Sequence, residues 1–126
     1  MTRSAAPHLP RPVPIDGYGQ GGFRFAGLSH RGSLLCLPSG IWAWSVMQPV
    51  DIDEAALEPV FAEAEQIRLF LLGYGDGAWS MPEDLWRCFR KHKIGLEVTR
   101  TGIAVSTYNI LLGEGRRVAA GFVAVE

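Results

Sequence analysis

Long apolar runs, clustered cysteines and an excess of charge of either sign are all missing from this chain. No stretch approaches the roughly 20 apolar residues of a membrane-spanning helix. The first residues lack the apolar core of a signal peptide, so the expectation is a cytoplasmic protein, peripheral to a membrane only through a partner. The two cysteines, Cys36 and Cys88, are far apart and match no metal-ligand or redox spacing. Both are expected to be reduced, buried and inert. Twelve Lys and Arg stand against thirteen Asp and Glu, a balance that argues against a nucleic-acid partner. The three histidines, His8, His30 and His92, are scattered, and none is placed beside a serine or cysteine nucleophile. No cofactor and no metal is implied.

What is present is a chain of 126 residues, 48% hydrophobic and 20% charged, enough for one domain with a core of its own. Pro7, Pro10, Pro12 and Pro14 forbid a helix at the N-terminus. Residues 1–12 are therefore read as a flexible arm and 13–126 as the domain. Strands are expected at Ile15–Tyr18, Phe23–Phe25, Leu34–Leu37 and Ile41–Val46, with His30, Arg31 and Gly32 in a turn. This is an N-terminal antiparallel meander. Trp42, Trp44 and Val46 share one strand face.

From Asp51 the period becomes helical through Ala56, Leu57, Val60 and Phe61. Ile67–Leu72 is a buried strand. Ser80 with Glu83 has the spacing of a capping box, ahead of a helix burying Leu85, Cys88 and Phe89. Leu96–Thr99 is a strand, Thr101 caps a helix burying Ala104, Tyr108, Leu111 and Leu112, and Val118–Val125 closes the chain as a strand. The fold class is α/β: a single layered domain with a mixed sheet and helices packed on it.

Three segments invite chemistry. Gly73-Tyr74-Gly75-Asp76-Gly77-Ala78 spells a variant dinucleotide fingerprint, with Glu97 at the distance of a ribose-binding acid. The helix signal begins only at Ser80 and Glu97 lies inside a strand, which favours a sharp β-to-α turn whose glycines relieve backbone strain. Such a turn can still wall a pocket at the carboxyl ends of parallel strands; Ile67–Leu72 and Leu96–Thr99 are expected as parallel neighbours, with the Gly73–Ala78 loop and the start of the 102–112 helix together at one end of the sheet. The basic run Arg87 to Lys93 fits a helix C-terminus better than a nucleic-acid site. Between Asp51 and Glu65 there are six acids and no base. Glu58, Glu63 and Glu65 on that segment are a candidate partner surface, as is the tryptophan-bearing strand. Thr107, Tyr108 and Asn109 are poor helix choices, so hydrogen bonding is expected there, with Tyr108 in the core.

The strings GFRFAGLSHRGSLLCLPSGIWAW, LFLLGYGDGAWSMPEDL and TGIAVSTYNILLGEGRRVAAGFVAV resemble, in this order, the small Mth-type α/β domain proteins, whose mitochondrial members include complex I assembly factor 3. The likeness covers about residues 13 to 125. Gly73 and Gly75 match the family's Gly-x-Gly, Thr107, Tyr108 and Asn109 its Thr-Tyr-Asn, and Glu114, Gly115 and Arg116 its Glu-Gly-Arg. Val105 stands where many members have cysteine, Ser106 where a basic residue is common, and Tyr74 where threonine is. Thiol chemistry through that cysteine is therefore excluded here. The resemblance implies a compact layered fold and a non-enzymatic role in assembling a membrane protein complex. The expected partner is a protein, with homo-oligomers open. The competing reading is a small-molecule-binding domain or minor enzyme using a crevice formed by Gly73, Tyr74, Gly75 and Asp76 with Thr107 and Asn109.

Overall fold

The computed structural model describes residues 6–126. Its centre is a five-stranded sheet in the order β5-β4-β8-β6-β7. The strands are β4 (Ser33–Leu37), β5 (Gly40–Trp44), β6 (Leu69–Gly73), β7 (Gly95–Thr99) and β8 (Val118–Phe122). β4 runs antiparallel to β5 and β8, whereas β6 runs parallel to β7 and β8. β6 and β7 were expected as parallel neighbours, and they are.

Helices α1 (Glu54–Phe61) and α2 (Glu83–Lys91) cover one face of this sheet; α3 (Thr101–Gly113) covers the other. Connection handedness explains the division. The step from β6 through α2 to β7 moves one way along the sheet, and the step from β7 through α3 to β8 moves back. Right-handed crossovers in opposite directions put their helices on opposite faces.

Beside α3 lies a second, three-stranded antiparallel sheet, β1 (Gly17–Gly19), β2 (Gly22–Phe25) and β3 (Leu28–Arg31). Strand periodicity sorts the core. Leu35, Leu37, Phe70 and Leu72 face α1 and α2, while Leu34, Cys36, Leu71 and Ala120 face α3 and the Phe23 and Phe25 rings of the small sheet. β8 uses small residues because large ones lie over it. A Cβ on Gly121 would fall 2.8 Å from the Trp44 ring.

Several expectations are corrected. The meander divides: Gly32, at φ +100°, turns the chain out of the small sheet, and only β4 and β5 join the large one. Leu28–Arg31 is a strand where the sequence reads as a turn at His30, because hydrogen bonding to β2 overrides its weak apolar pattern. Ser80 does not cap α2. That helix begins at Glu83, after Pro82, because a residue preceding proline is driven out of helical conformation. Thr101 is the first residue of α3 rather than its cap. Cys88 is half-buried, unlike the fully buried Cys36, and both are free thiols. Of the expected N-terminal arm, residues 1–5 lie outside the described residues. His8 and Leu9 lie along the β5 edge, with His8 N donating to Ile41 O at 2.7 Å and Ile41 N to Leu9 O at 3.0 Å.

Candidate functional site

The expected loop and the start of α3 do meet at the carboxyl ends of β6 and β7. Gly75 N donates to Thr101 Oγ1 at 2.9 Å, and Thr101 N donates to Gly75 O at 2.9 Å. The Thr101 hydroxyl in turn donates to Val123 O at 2.7 Å. Val123 N donates to Gly73 O at 2.8 Å. Thr101 is completely buried, so β6, β8 and α3 are tied through one side chain. Glycine at 73 is required by closeness, since a Cβ there would lie 2.8 Å from Thr101 Cα. At Gly75 it is required by conformation, φ being +102°. Tyr74 is half-buried near Trp79, with ring centroids 6.0 Å apart, and Asp76 is exposed.

Thr107 and Asn109 are not at that junction. They sit six and eight residues further along α3, roughly 9 and 12 Å by helical rise. Asn109 is engaged elsewhere: its Oδ1 accepts from Ile15 N and its Nδ2 donates to Ile15 O, both at 2.8 Å. The hydrogen bonding expected of the Thr-Tyr-Asn helix thus serves to pin the segment leading into β1. Tyr108 is in the core as expected, and its hydroxyl makes no well-formed hydrogen bond among the described residues, facing only the Cys36 thiol.

The acidic segment is divided too. Glu63 accepts from Ser39 N at 2.9 Å and from Ser39 Oγ at 2.5 Å, while Trp42 Nε1 donates to the same Ser39 Oγ at 2.9 Å. Asp53 caps α1 through Ala56 N at 2.8 Å, and Asp51 accepts from Gln48 N at 3.0 Å. Glu58 and Glu65 face solvent. Trp44 is covered by α1, its Nε1 donating to Ala56 O at 3.0 Å. In the basic run, Arg90 pairs with Glu83 at 2.8 Å and the His92 ring stacks on Phe61 at 4.3 Å between centroids.

Sequence reasoning missed a cleft of about 590 Å³ on the small sheet, lined by residues of all three strands, among them Tyr18, Arg24, Ser29, His30 and Arg31. Cross-strand register places Gly17, Arg24 and Ser29 in one row and Gly19, Gly22 and Arg31 in the next. Both rows lie opposite the buried Phe23 and Phe25. The available signal was the glycine-rich 17–22 stretch ahead of an alternating Phe-Arg-Phe. A smaller hollow of about 330 Å³ lies where β6 and β8 begin, beside Arg68, Arg116 and Arg117. At the cleft's inner edge the His30 ring approaches His8 at 3.0 Å and Ser33 O at 3.0 Å. Burial holds the His30 pKa below its usual value, against the opposing pull of the Ser33 carbonyl. Burial pushes the Cys36 thiol far up, so no thiolate forms there. Among the described residues no group of three or more His, Cys, Asp or Glu could hold a metal ion, and no helix is long and apolar enough to cross a membrane.

A mixed sheet between α1 and α2 on one side and α3 with a small sheet on the other defines an α/β domain of the Mth type. The chain belongs to the family described as a protein of unknown function, DUF498/DUF598, whose model matches residues 15–123. An uncharacterised protein of Rhodobacter capsulatus is 39% identical over 88% of this chain and 84% of its own length. The mouse NADH dehydrogenase (ubiquinone) 1 alpha subcomplex assembly factor 3 is 28% identical over 91% of this chain, which spans 62% of that protein. Among solved structures, a Bartonella henselae protein described as an outer membrane protein superposes with a TM-score of 0.91. It is 43% identical, with 94% of this chain and 100% of that one covered. A Bordetella pertussis protein described as a Mth938-like domain, 23% identical with a TM-score of 0.75 over 98% of this chain and 92% of its own, shares the fold.

Proposed function

We propose that this protein is a non-enzymatic interaction module that assists assembly of a respiratory-type membrane protein complex, reaching the membrane through its partner. The observation that carries this reading is the likeness to the mouse assembly factor along 91% of the chain. The geometry supports it from another side. At the Gly73 loop, where the competing reading puts a ligand crevice, the polar groups are bonded to Thr101 and Val123, while Thr107 and Asn109 lie elsewhere on α3. Glu58 and Glu65, solvent-facing on the acidic segment, remain candidate contacts; Glu63 is bound to Ser39.

The test is deletion of the gene in its own host, with membrane complexes resolved on native gels and probed for complex I subunits. Accumulated partial complexes, restored by the wild-type gene, are the expected result. Normal amounts of fully assembled complex in the deletion strain would contradict the proposal.

A further inference from the structure

The open face of the small sheet combines a hollow with two exposed arginines. Arg24 and Arg31 stand diagonally across the β2–β3 pair, where neighbours are about 7–8 Å apart and their Cβ atoms somewhat closer, close enough for two guanidinium groups to share one anionic segment. Neither has a carboxylate partner among the described residues, and no Asp or Glu lines the cleft. The basic face of α2 is unlike it, since Arg90 is already paired with Glu83. A Cβ on Gly17 or Gly19 would meet nothing within 4 Å. The cleft floor is therefore bare backbone, which a partner chain can approach closely.

An apolar ridge continues from the cleft. α3 is apolar on more than its buried side: Ala104, Val105 and Tyr108 are in the core, yet Ile103 and Ile110 are 58% and 62% exposed. Seven residues apart, these two share one side of the helix. Ser106 and Thr107 lie on that side between them, so the exposed strip is two isoleucines flanking two hydroxyls. The Tyr18 hydroxyl rests against Gly102, at the position a Cβ there would occupy. Tyr18 pairs with Phe23 and so projects from the face opposite the two arginines, yet it is half exposed on the edge strand β1; cleft and ridge therefore meet around that edge, through Tyr18.

We infer that this combined surface docks a segment of a partner protein in which carboxylates lie next to apolar side chains, the carboxylates meeting Arg24 and Arg31 and the apolar groups covering Ile103 and Ile110. Charge complementarity selects this occupant, because two unpaired arginines facing a second copy of themselves would repel. The inference rests on the assembly-module reading and names the chemistry of its partner.

The full-length protein, isotope-labelled, is to be titrated with a synthetic twelve-residue peptide of alternating leucine and glutamate pairs, and with a control carrying glutamine for glutamate. The glutamate peptide should shift the amides of residues 17–31 and 102–110, with the glutamine peptide at least tenfold weaker. Arg24→Gln combined with Arg31→Gln should weaken binding by about tenfold and flatten its salt dependence. Ile103→Ser should weaken it independently, with the salt dependence kept. Circular dichroism and thermal melts confirm that both variants are folded. Shifts confined to residues 87–93, equal binding of the two peptides, or no shifts at millimolar peptide would overturn the inference. So would a dimer of the free protein, seen by sedimentation, that Ile103→Glu dissolves, because the ridge would then belong to a second copy. Each of these results leaves the deletion experiment to be judged separately.

Discussion

Two glycine-rich stretches, 73–77 and 17–22, look alike in sequence and are used in opposite ways. In the first, Gly73 lets β6 and α3 touch, and the space a side chain would take is filled by Thr101. In the second, Gly17 and Gly19 leave open space above the small sheet. Glycine marks a backbone that something approaches; only the neighbours say whether that something is the chain itself or a visitor.

Disrupting the first stretch should be costly. Thr101→Val keeps the shape but leaves Gly75 N and Val123 O without the hydroxyl they share. About 2–4 kcal/mol of stability should be lost, read as a lower urea midpoint with unchanged slope. Gly73→Ala pushes against Thr101 Cα and should cost about 1–3 kcal/mol, whereas Gly17→Ala, with nothing in reach, should change stability by less than about 1 kcal/mol. Equal losses at 73 and 17 would erase the contrast. Between these extremes falls Asn109→Ala, which removes both bonds to Ile15 and should cost about 1–3 kcal/mol. It should also raise amide exchange in residues 15–25 ahead of the rest of the molecule.

Smaller effects sharpen the picture around the second stretch. The folded state holds the His30 pKa below its unfolded value of about 6.5. Protonation therefore favours unfolding: this contribution is fully present above that pH and declines as pH falls through it, levelling off below the folded pKa. A melting temperature that drops on acidification from pH 7.5 to 5.5, by less in His30→Gln, is the expected signature. Tyr108→Phe deletes a hydroxyl that, among the described residues, makes no well-formed hydrogen bond and faces only the Cys36 thiol, and should alter stability by less than about 1 kcal/mol.

Much of the fold was legible because periodicity survives wherever a residue is buried. The strand at 67–72, the helix through Ala104 and Tyr108 and the parallel pairing of β6 with β7 all follow from apolar spacing and short connections. What escaped depended on partners distant in sequence. β3 has little apolar pattern and is a strand through its bonds to β2. Ser80 has the right spacing for a cap, but Pro82 dictates where α2 begins. At the candidate site, the Gly73 turn and Thr101 were placed together by topology. That Asn109 would be spent on Ile15, 94 residues away in the chain, is recorded in no local pattern. The cleft was missed for a related reason, since Arg24 and Arg31 become neighbours only through hairpin register.

The most direct measurement is complementation of the deletion strain by two variants with matched expression. Arg24→Gln combined with Arg31→Gln should fold with a wild-type melting temperature and yet leave partial membrane complexes on native gels. Arg87→Gln combined with Lys91→Gln, both exposed on α2, supplies a folded surface control that removes the same number of positive charges and should restore the complex fully. Full restoration of the complex by the arginine double variant would show that the open face of the small sheet has no part in the protein's work.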